Sequence, residues 1–223
     1  MTTQSINPKP DTLPDTPAEP SFQAGPQPGV LSWLTFGALW IAVCGLAYPA
    51  VTTLLAGGLF PAQANGSLIT RGTQVVGSAL VGQTFTGDGY FIGRPSAAGS
   101  GYDPVNASGS NLAPSNPALR ERVQALSRQI AAREGVSADR IPPDLLTASG
   151  SGLDPHISPA GAQLQVPRIA RVRGLSQGVV LKLIADATER SPLGLGQPGV
   201  NVLRLNLALD AAAPLPGAAT PAR

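Results

Sequence analysis

Between Ser21 and Thr70 the chain carries no charged side chain, and that gap constrains the fold more than any other feature. Inside it, Val30 to Leu55 is a run of about 26 mainly apolar residues; as a helix rising about 1.5 Å per residue it reaches roughly 39 Å. The hydrocarbon core of a bilayer is about 30 Å thick, so the run spans it with room to tilt. Ten Leu, Ile, Val and Phe side chains lie between Leu31 and Leu55. At about −0.3 to −0.6 kcal/mol each, they favour insertion by roughly 3 to 6 kcal/mol. Gly45 and Pro49 subtract from that, and Pro49 is expected to kink the helix near its far end. Trp33 suits one membrane interface and Tyr48 the other, with Trp40 between them.

The expectation is one transmembrane helix over residues 30–58. A cleavable signal is the rival reading, because Ala62-Gln63-Ala64 has the small-x-small form. The apolar region is too long for it, and the preceding segment sets one cation, Lys9, against Asp11, Asp15 and Glu19. The helix holds no Asp, Glu, Lys, Arg or His, so it offers no usual ion ligand, and a single helix cannot enclose a pore. Gly37, Ala38, Ala42 and Gly45 give it small surfaces for packing on other helices, or it is a simple anchor. Cys44 lies inside the apolar run and reads as a small buried hydrophobe.

Residues 1–29 contain seven prolines and almost no large apolar groups, too little to offset chain entropy, so a disordered tail is expected. Residues 65–210 are long enough to bury a core of their own, and 211–223 read as a flexible tail. Ser67-Leu68-Ile69 and Val75 to Val81 suggest strands broken by Gly72 and Gly77, and Tyr90-Phe91-Ile92 a further strand. Leu119, Val123, Leu126 and Ile130 share one helical face between Asn116-Pro117 and Gly135. On that helix Glu121, Arg122, Arg128, Arg133 and Glu134 read mostly as a solvated face. A short turn is expected at Pro142 to Leu146, a helix from Pro159 to Arg173 kinked at Pro167, and another after Ser176 with Val179, Val180, Leu183, Ile184 and Ala187 inward. Leu203, Leu205, Leu207 and Leu209 alternate with Arg204, Asn206 and Ala208, the pattern of a half-buried strand. The fold class is therefore α+β: a single N-terminal transmembrane helix followed by one mixed α/β domain.

Several chemistries fit poorly. A net charge of +2 and the lack of a basic run interleaved with aromatics give no support to nucleic-acid binding. Gly174-Leu175-Ser176-Gln177-Gly178 matches a nucleophile elbow in letters, but a helix is expected before Ser176 where that elbow needs a strand, so Ser176 reads as an N-cap. His156 is the only histidine and cannot build a zinc site alone. Asp154, two residues before it, suits a local hydrogen bond as readily as acid–base work. No nucleotide fingerprint or phosphorylatable DKTG motif is present. Arg168, Arg171 and Arg173 crowd one stretch, a solvated face by default and a docking patch on the sharper reading.

The most distinctive local signal is Thr147 to Ser158, TASGSGLDPHIS. Its glycines indicate a shaped loop rather than core, Pro155 stiffens its exit, and Ser158-Pro159 looks like an N-cap and first helical residue. Gly93-Arg94-Pro95-Ser96-Ala97, Gly109-Ser110-Asn111-Leu112, Asn116-Pro117 and Val200 to Leu209 accompany it. In order and spacing these motifs, over roughly Leu31 to Leu209, closely resemble the C subunit of the bacterial Kdp potassium-transporting P-type ATPase.

The resemblance implies a non-catalytic accessory subunit, needed for assembly and stability of an ATP-driven potassium uptake pump. The family is described as a catalytic chaperone that raises the ATP affinity of the ATPase subunit. The implied partners are a channel-like potassium-binding subunit, an ATP-hydrolysing subunit, a small peptide subunit and membrane lipid. The implied location is the cell inner membrane, N-terminus cytoplasmic and main domain extracytoplasmic. Charge alone does not give that orientation, since the first cations after the span are Arg71 and Arg94. Hydrolysis belongs to another subunit, and ATP is expected only through the complex. Were it to meet this chain, the contact would be Ser149, Gly150, Ser151 and Gly152, whose N–H groups could face phosphate. Arg94, Pro95, Ser96, Asn111, Asp154, Pro155, His156, Ser158 and Arg168 are the expected partner or structural positions. The competing readings are a membrane-tethered extracytoplasmic hydrolase using Ser176 or His156, and a secreted binding module.

Overall fold

The computed structural model describes residues 29–191 and 194–215. The expected tail over 1–29, apart from Gly29, and the last residues of the tail over 211–223 lie outside the described residues. Val30–Leu59 is one apolar helix with no buried residue, made of α1 (Val30–Ala42), a π turn (Val43–Ala47) and α2 (Tyr48–Leu59). The disturbance expected from Pro49 takes the form of that turn. Just ahead of a residue with no N–H, the Tyr48 amide reaches the Val43 carbonyl, five residues back instead of four. The Thr35 and Thr52 hydroxyls donate to the Leu31 and Tyr48 carbonyls at 3.0 and 2.9 Å, so both are satisfied within the helix, as a hydrocarbon setting requires.

From Leu54 onward the chain forms a second compact unit. After the short α3 (Pro61–Ala64), β1 (Leu68–Arg71) and β2 (Gln74–Ser78) form an antiparallel hairpin. Gly72 lies in its turn, whereas Gly77 sits inside β2 beside a bulge opposite Ile69 and Thr70. Residues 79–116 then contain neither helix nor strand. Tyr90-Phe91-Ile92, expected as a strand, is held by side-chain amides instead. Phe91 N–H donates to Asn206 Oδ1 at 2.9 Å, and its carbonyl accepts from Asn206 Nδ2 at 3.0 Å. Ile92 exchanges the same pair with Gln165, at 2.8 and 3.3 Å. Two buried amides thus satisfy backbone groups that a ladder would otherwise pair.

The three expected helices form where their caps lie. Asn116 Oδ1 accepts from Ala118 N at the start of α4 (Pro117–Glu134), and Gly135 closes it in the left-handed conformation. Short 3₁₀ turns follow at Ala138–Arg140 and Pro143–Leu145. Strand β3 (His156–Ile157) leads into α5 (Pro159–Arg173), capped by Ser158, ended by Gly174 and carrying Pro167 inside it. Ser176 caps α6 (Gln177–Asp186), whose buried residues are Val180 and Ile184. Val179, expected inward, is 43% exposed. The short β4 (Thr188–Glu189) and β5 (Gly199–Asn201) complete a three-stranded antiparallel sheet in the order β3-β5-β4.

The strand expected over Leu203 to Leu209 is instead α7 (Val202–Ala212), capped by Asn201 Oδ1 accepting from Arg204 N. Its buried positions include Val202, Leu205, Asn206 and Leu209, the three-four spacing of a helix face. A strand would have turned Asn206 outward, yet it is 1% exposed. Leu and Ala, strong helix formers, fill the segment, and no β-branched residue follows Val202. The sheet and helices meet over one core in which Phe91, Leu145, Ile157, Ile169, Val180, Val200, Leu205 and Leu209 are fully buried.

Candidate functional site

The loop at Thr147 to Ser158 closes against the Gly93 to Gly109 segment. Arg94 joins them: its NH1 pairs with Asp154 Oδ2 at 3.1 Å, and its remaining nitrogens reach the Thr147 and Ala148 carbonyls at 3.4 Å. Ser96 Oγ donates to the Gly152 carbonyl at 2.7 Å and accepts from the amides of Ala98 and Tyr102. The Tyr102 hydroxyl donates to the Arg94 carbonyl at 2.6 Å, and burial pushes its pKa up to about 12. Pro95 is half-buried between them, and Asn111, at φ +50, makes a left-handed bend on the exposed side.

Gly152 has φ +71, and a Cβ there would lie 2.6 Å from the Ser108 carbonyl and 2.7 Å from Ala98 N. No side chain fits, which is the physical reason for a glycine at that position. Of the four residues singled out for phosphate, Ser149 and Gly152 are buried in this packing, while Gly150 and Ser151 are exposed.

Asp154 turns the chain into the sheet. Its Oδ1 accepts from the His156 amide at 2.9 Å, and its carboxyl is held below the usual range: burial pushes it up, but hydrogen bonds from His156 and Arg94 outweigh that. The Pro155 carbonyl accepts from Val202 N at 3.0 Å, fastening the loop to the start of α7. Ser158 works in three directions. Its amide and hydroxyl donate to the two Asp144 oxygens at 2.7 and 2.9 Å, and its Oγ accepts from Gly161 N. Helix α5 is thereby pinned to the 3₁₀ turn before it.

Arg168 is neither solvated nor a docking patch. It is 3% exposed. Its Nε donates to both oxygens of Glu134 at 2.9 and 3.0 Å, NH1 to the carbonyls of Asp88 and Tyr90, and NH2 to Gln165 Oε1 at 3.1 Å. The side chain of Glu134, expected on a solvated face, is fully covered beneath it, with burial pushing its carboxyl up and Arg168 opposing the shift. Arg173 is buried too, donating to Gly89 O and Ala213 O, pairing with Asp210 at 3.0 Å, and stacking 4.6 Å above the Tyr90 ring. Only Arg171 of the three remains exposed. Burial drew these arginines in because the strandless 79–116 segment supplies carbonyls that need donors.

As a catalytic centre the arrangement is poor. Both ring nitrogens of His156 face carboxylates, Nδ1 at 3.6 Å from Asp154 and Nε2 at 3.0 Å from Glu189. Ser176 accepts from Val179 N between two helices, the wrong setting for a nucleophile elbow.

A family profile described as KdpC, the K+-transporting ATPase c chain, matches residues 30–211. The chain belongs to the KdpC family. Relatives named potassium-transporting ATPase KdpC subunit include one from Shewanella putrefaciens, 56% identical over 75% of this chain and 84% of its own length. One from Acidobacterium capsulatum is 57% identical over 74% and 89%, and one from Xanthomonas oryzae pv. oryzae 54% identical over 79% and 86%. The KdpC match opens on the first residue of α1 and closes within α7. It therefore takes in the apolar helix, both loops and the two buried amides.

Sequence reasoning missed Asp144, Glu189, Arg204, Gln165 and Asn206. Asn206 carried a usable signal, a lone amide among four leucines. The others are ordinary polar residues whose partners lie far away in the chain.

Proposed function

We propose that this chain is the non-catalytic accessory subunit of a Kdp-type potassium-transporting ATPase, anchored by one transmembrane helix. The observation that carries the reading is the joining of KdpC family membership to an uncharged helix, Val30–Leu59, with no buried side chain. Such a surface needs lipid or other helices to cover it. The partners on this reading are the channel-like potassium-binding subunit, the ATP-hydrolysing subunit and the small peptide subunit, with the N-terminus cytoplasmic and the folded domain outside. A body braced by buried ion pairs and packed loops suits a scaffold that holds other subunits. Any gain in ATP affinity then arises through the assembled complex. Direct contact would fall to Gly150 and Ser151, the exposed members of the Ser149–Gly152 loop.

Deleting residues 31–58 in cells that depend on this pump for potassium is expected to abolish growth at low potassium and co-purification of the other subunits from membranes. Normal growth of the deletion strain would overturn the proposal.

A further inference from the structure

His156 is the chain's only histidine, and its ring lies across all three strands of the β3-β5-β4 sheet. It stands on β3 and rests on the β5 backbone, where a Cβ on Gly199 would come within 3.1–3.2 Å of its Cβ, Cγ and Cδ2. Its Nε2 reaches Glu189 Oε2 on β4 at 3.0 Å, and its Nδ1 lies 3.6 Å from Asp154 Oδ1 ahead of β3. Each carboxylate is held from its far side by an arginine. Asp154 Oδ2 meets Arg94 NH1 at 3.1 Å, and Glu189 Oε1 meets Arg204 NH1, on α7, at 2.9 Å.

Five side chains thus form a row, Arg94, Asp154, His156, Glu189 and Arg204, drawn from the 79–116 segment, the loop before β3, β3 itself, β4 and α7. Its charges alternate along the whole length only when the imidazole carries both protons. A neutral ring has one N–H, so it can donate to one carboxylate and must turn a lone pair on the other. We propose that protonation of His156 operates a clamp that fastens β4 and the start of β5 to the Asp154 loop, and that loss of the proton releases it.

The remaining groups around the ring fit this reading. Arg190, Ser191 and Gln197 line a cavity of about 430 Å³ that also borders Asp154, His156, Glu189 and Gly199, so solvent protons have access. Tyr102 stays uncharged beside Asp154, its pKa raised chiefly by burial. The Asp154 carboxylate, 3.6 Å from Nδ1, is the chief cause raising His156 above its ordinary 6.5; burial opposes it and Glu189 adds to it. A raised value in the fold means that the stabilisation is complete below 6.5 and fades as pH climbs through the folded value. Asp154, depressed in the fold, keeps its charge down to more acid pH and leaves the imidazole as the group that switches.

The test uses full-length protein in detergent micelles without a histidine tag, where a lone imidazole gives an unambiguous NMR titration. A midpoint above 6.5 is expected, moving down in Glu189→Gln. Hydrogen exchange, corrected for intrinsic pH dependence, is expected to lose protection at residues 188–189 and 199–201. The loss should approach about tenfold per pH unit between the unfolded and folded values, and His156→Gln should remove that pH dependence. A wild-type midpoint at or below 6.5, or the same pH-dependent loss of protection in His156→Gln, would overturn the proposal. The titration needs no other subunit, so its failure is distinct from failure of the pump assignment.

Discussion

Truncating Glu134 to alanine should unsettle the domain more than any surface change on the same helix. The Arg168 side chain is 3% exposed, and Glu134 is the one carboxylate among the described residues that pairs with it directly, through two bonds to Nε at 2.9 and 3.0 Å. The variant keeps the carbonyls of Asp88 and Tyr90 and the Gln165 oxygen around the cation but removes the balancing charge. Breaking a buried pair from one side costs about 3–5 kcal/mol, a large share of the roughly 5–15 kcal/mol that holds a typical domain together. At about 2–4 °C per kcal/mol for a domain of this size, Tm should fall by roughly 6–20 °C. Far-UV circular dichroism of purified full-length protein in detergent is the suitable assay. Trp33 and Trp40, the chain's two tryptophans, both lie in α1 and would report on the apolar helix. Glu121→Ala, an exposed position on α4, serves as control and should stay within about 0.5 kcal/mol. A Glu134→Leu/Arg168→Met double variant should recover part of the loss, though the Asp88 and Tyr90 carbonyls then lack their donor. If Glu134→Ala melts alongside Glu121→Ala, the argument from buried charge is wrong.

Asn206→Leu should cost about 2–6 kcal/mol, because it strips partners from the buried Phe91 N–H and carbonyl at about 1–3 kcal/mol each; urea unfolding checks it, and a loss under about 1 kcal/mol would contradict its role in holding the Phe91 backbone. Gly152→Ala should destabilise the domain by more than about 1 kcal/mol through its positive φ and the approach of Ser108 O, whereas Gly150→Ala, with open space around it, should be close to neutral. Comparing the two in the assembled pump also separates packing from nucleotide contact. A rise in the ATP concentration for half-maximal activity in Gly150→Ala at unchanged stability would favour contact, and no change would count against it.

Much of the fold was legible because local chemistry announces it. Asn116, Ser158 and Ser176 cap helices, Gly135 and Gly174 end them, and none needs a distant partner. The motif residues Arg94, Ser96, Asp154 and His156 are each legible individually, but their meeting depends on loop closure across 56 to 60 residues, which no periodicity encodes. Leu203 to Leu209 misled because alternate leucines satisfy a period of two and, with Val202 and Asn206, a period of 3.6 equally well. The Asn201 cap and the demand of Phe91 for an amide decided between them.

Sequence by itself determined that the chain carries one apolar helix able to cross a bilayer, followed by an α+β body. An uncharged run and helix caps express their preferences against solvent and backbone, with no need of tertiary partners. Only the tertiary structure decided which charges go inside. Arg168 and Arg173 look like surface residues until the irregular 79–116 segment brings unpaired carbonyls over them, and Glu134 until Arg168 closes on it. A buried charge is tolerable only where its partners converge, and that convergence is a property of the folded chain.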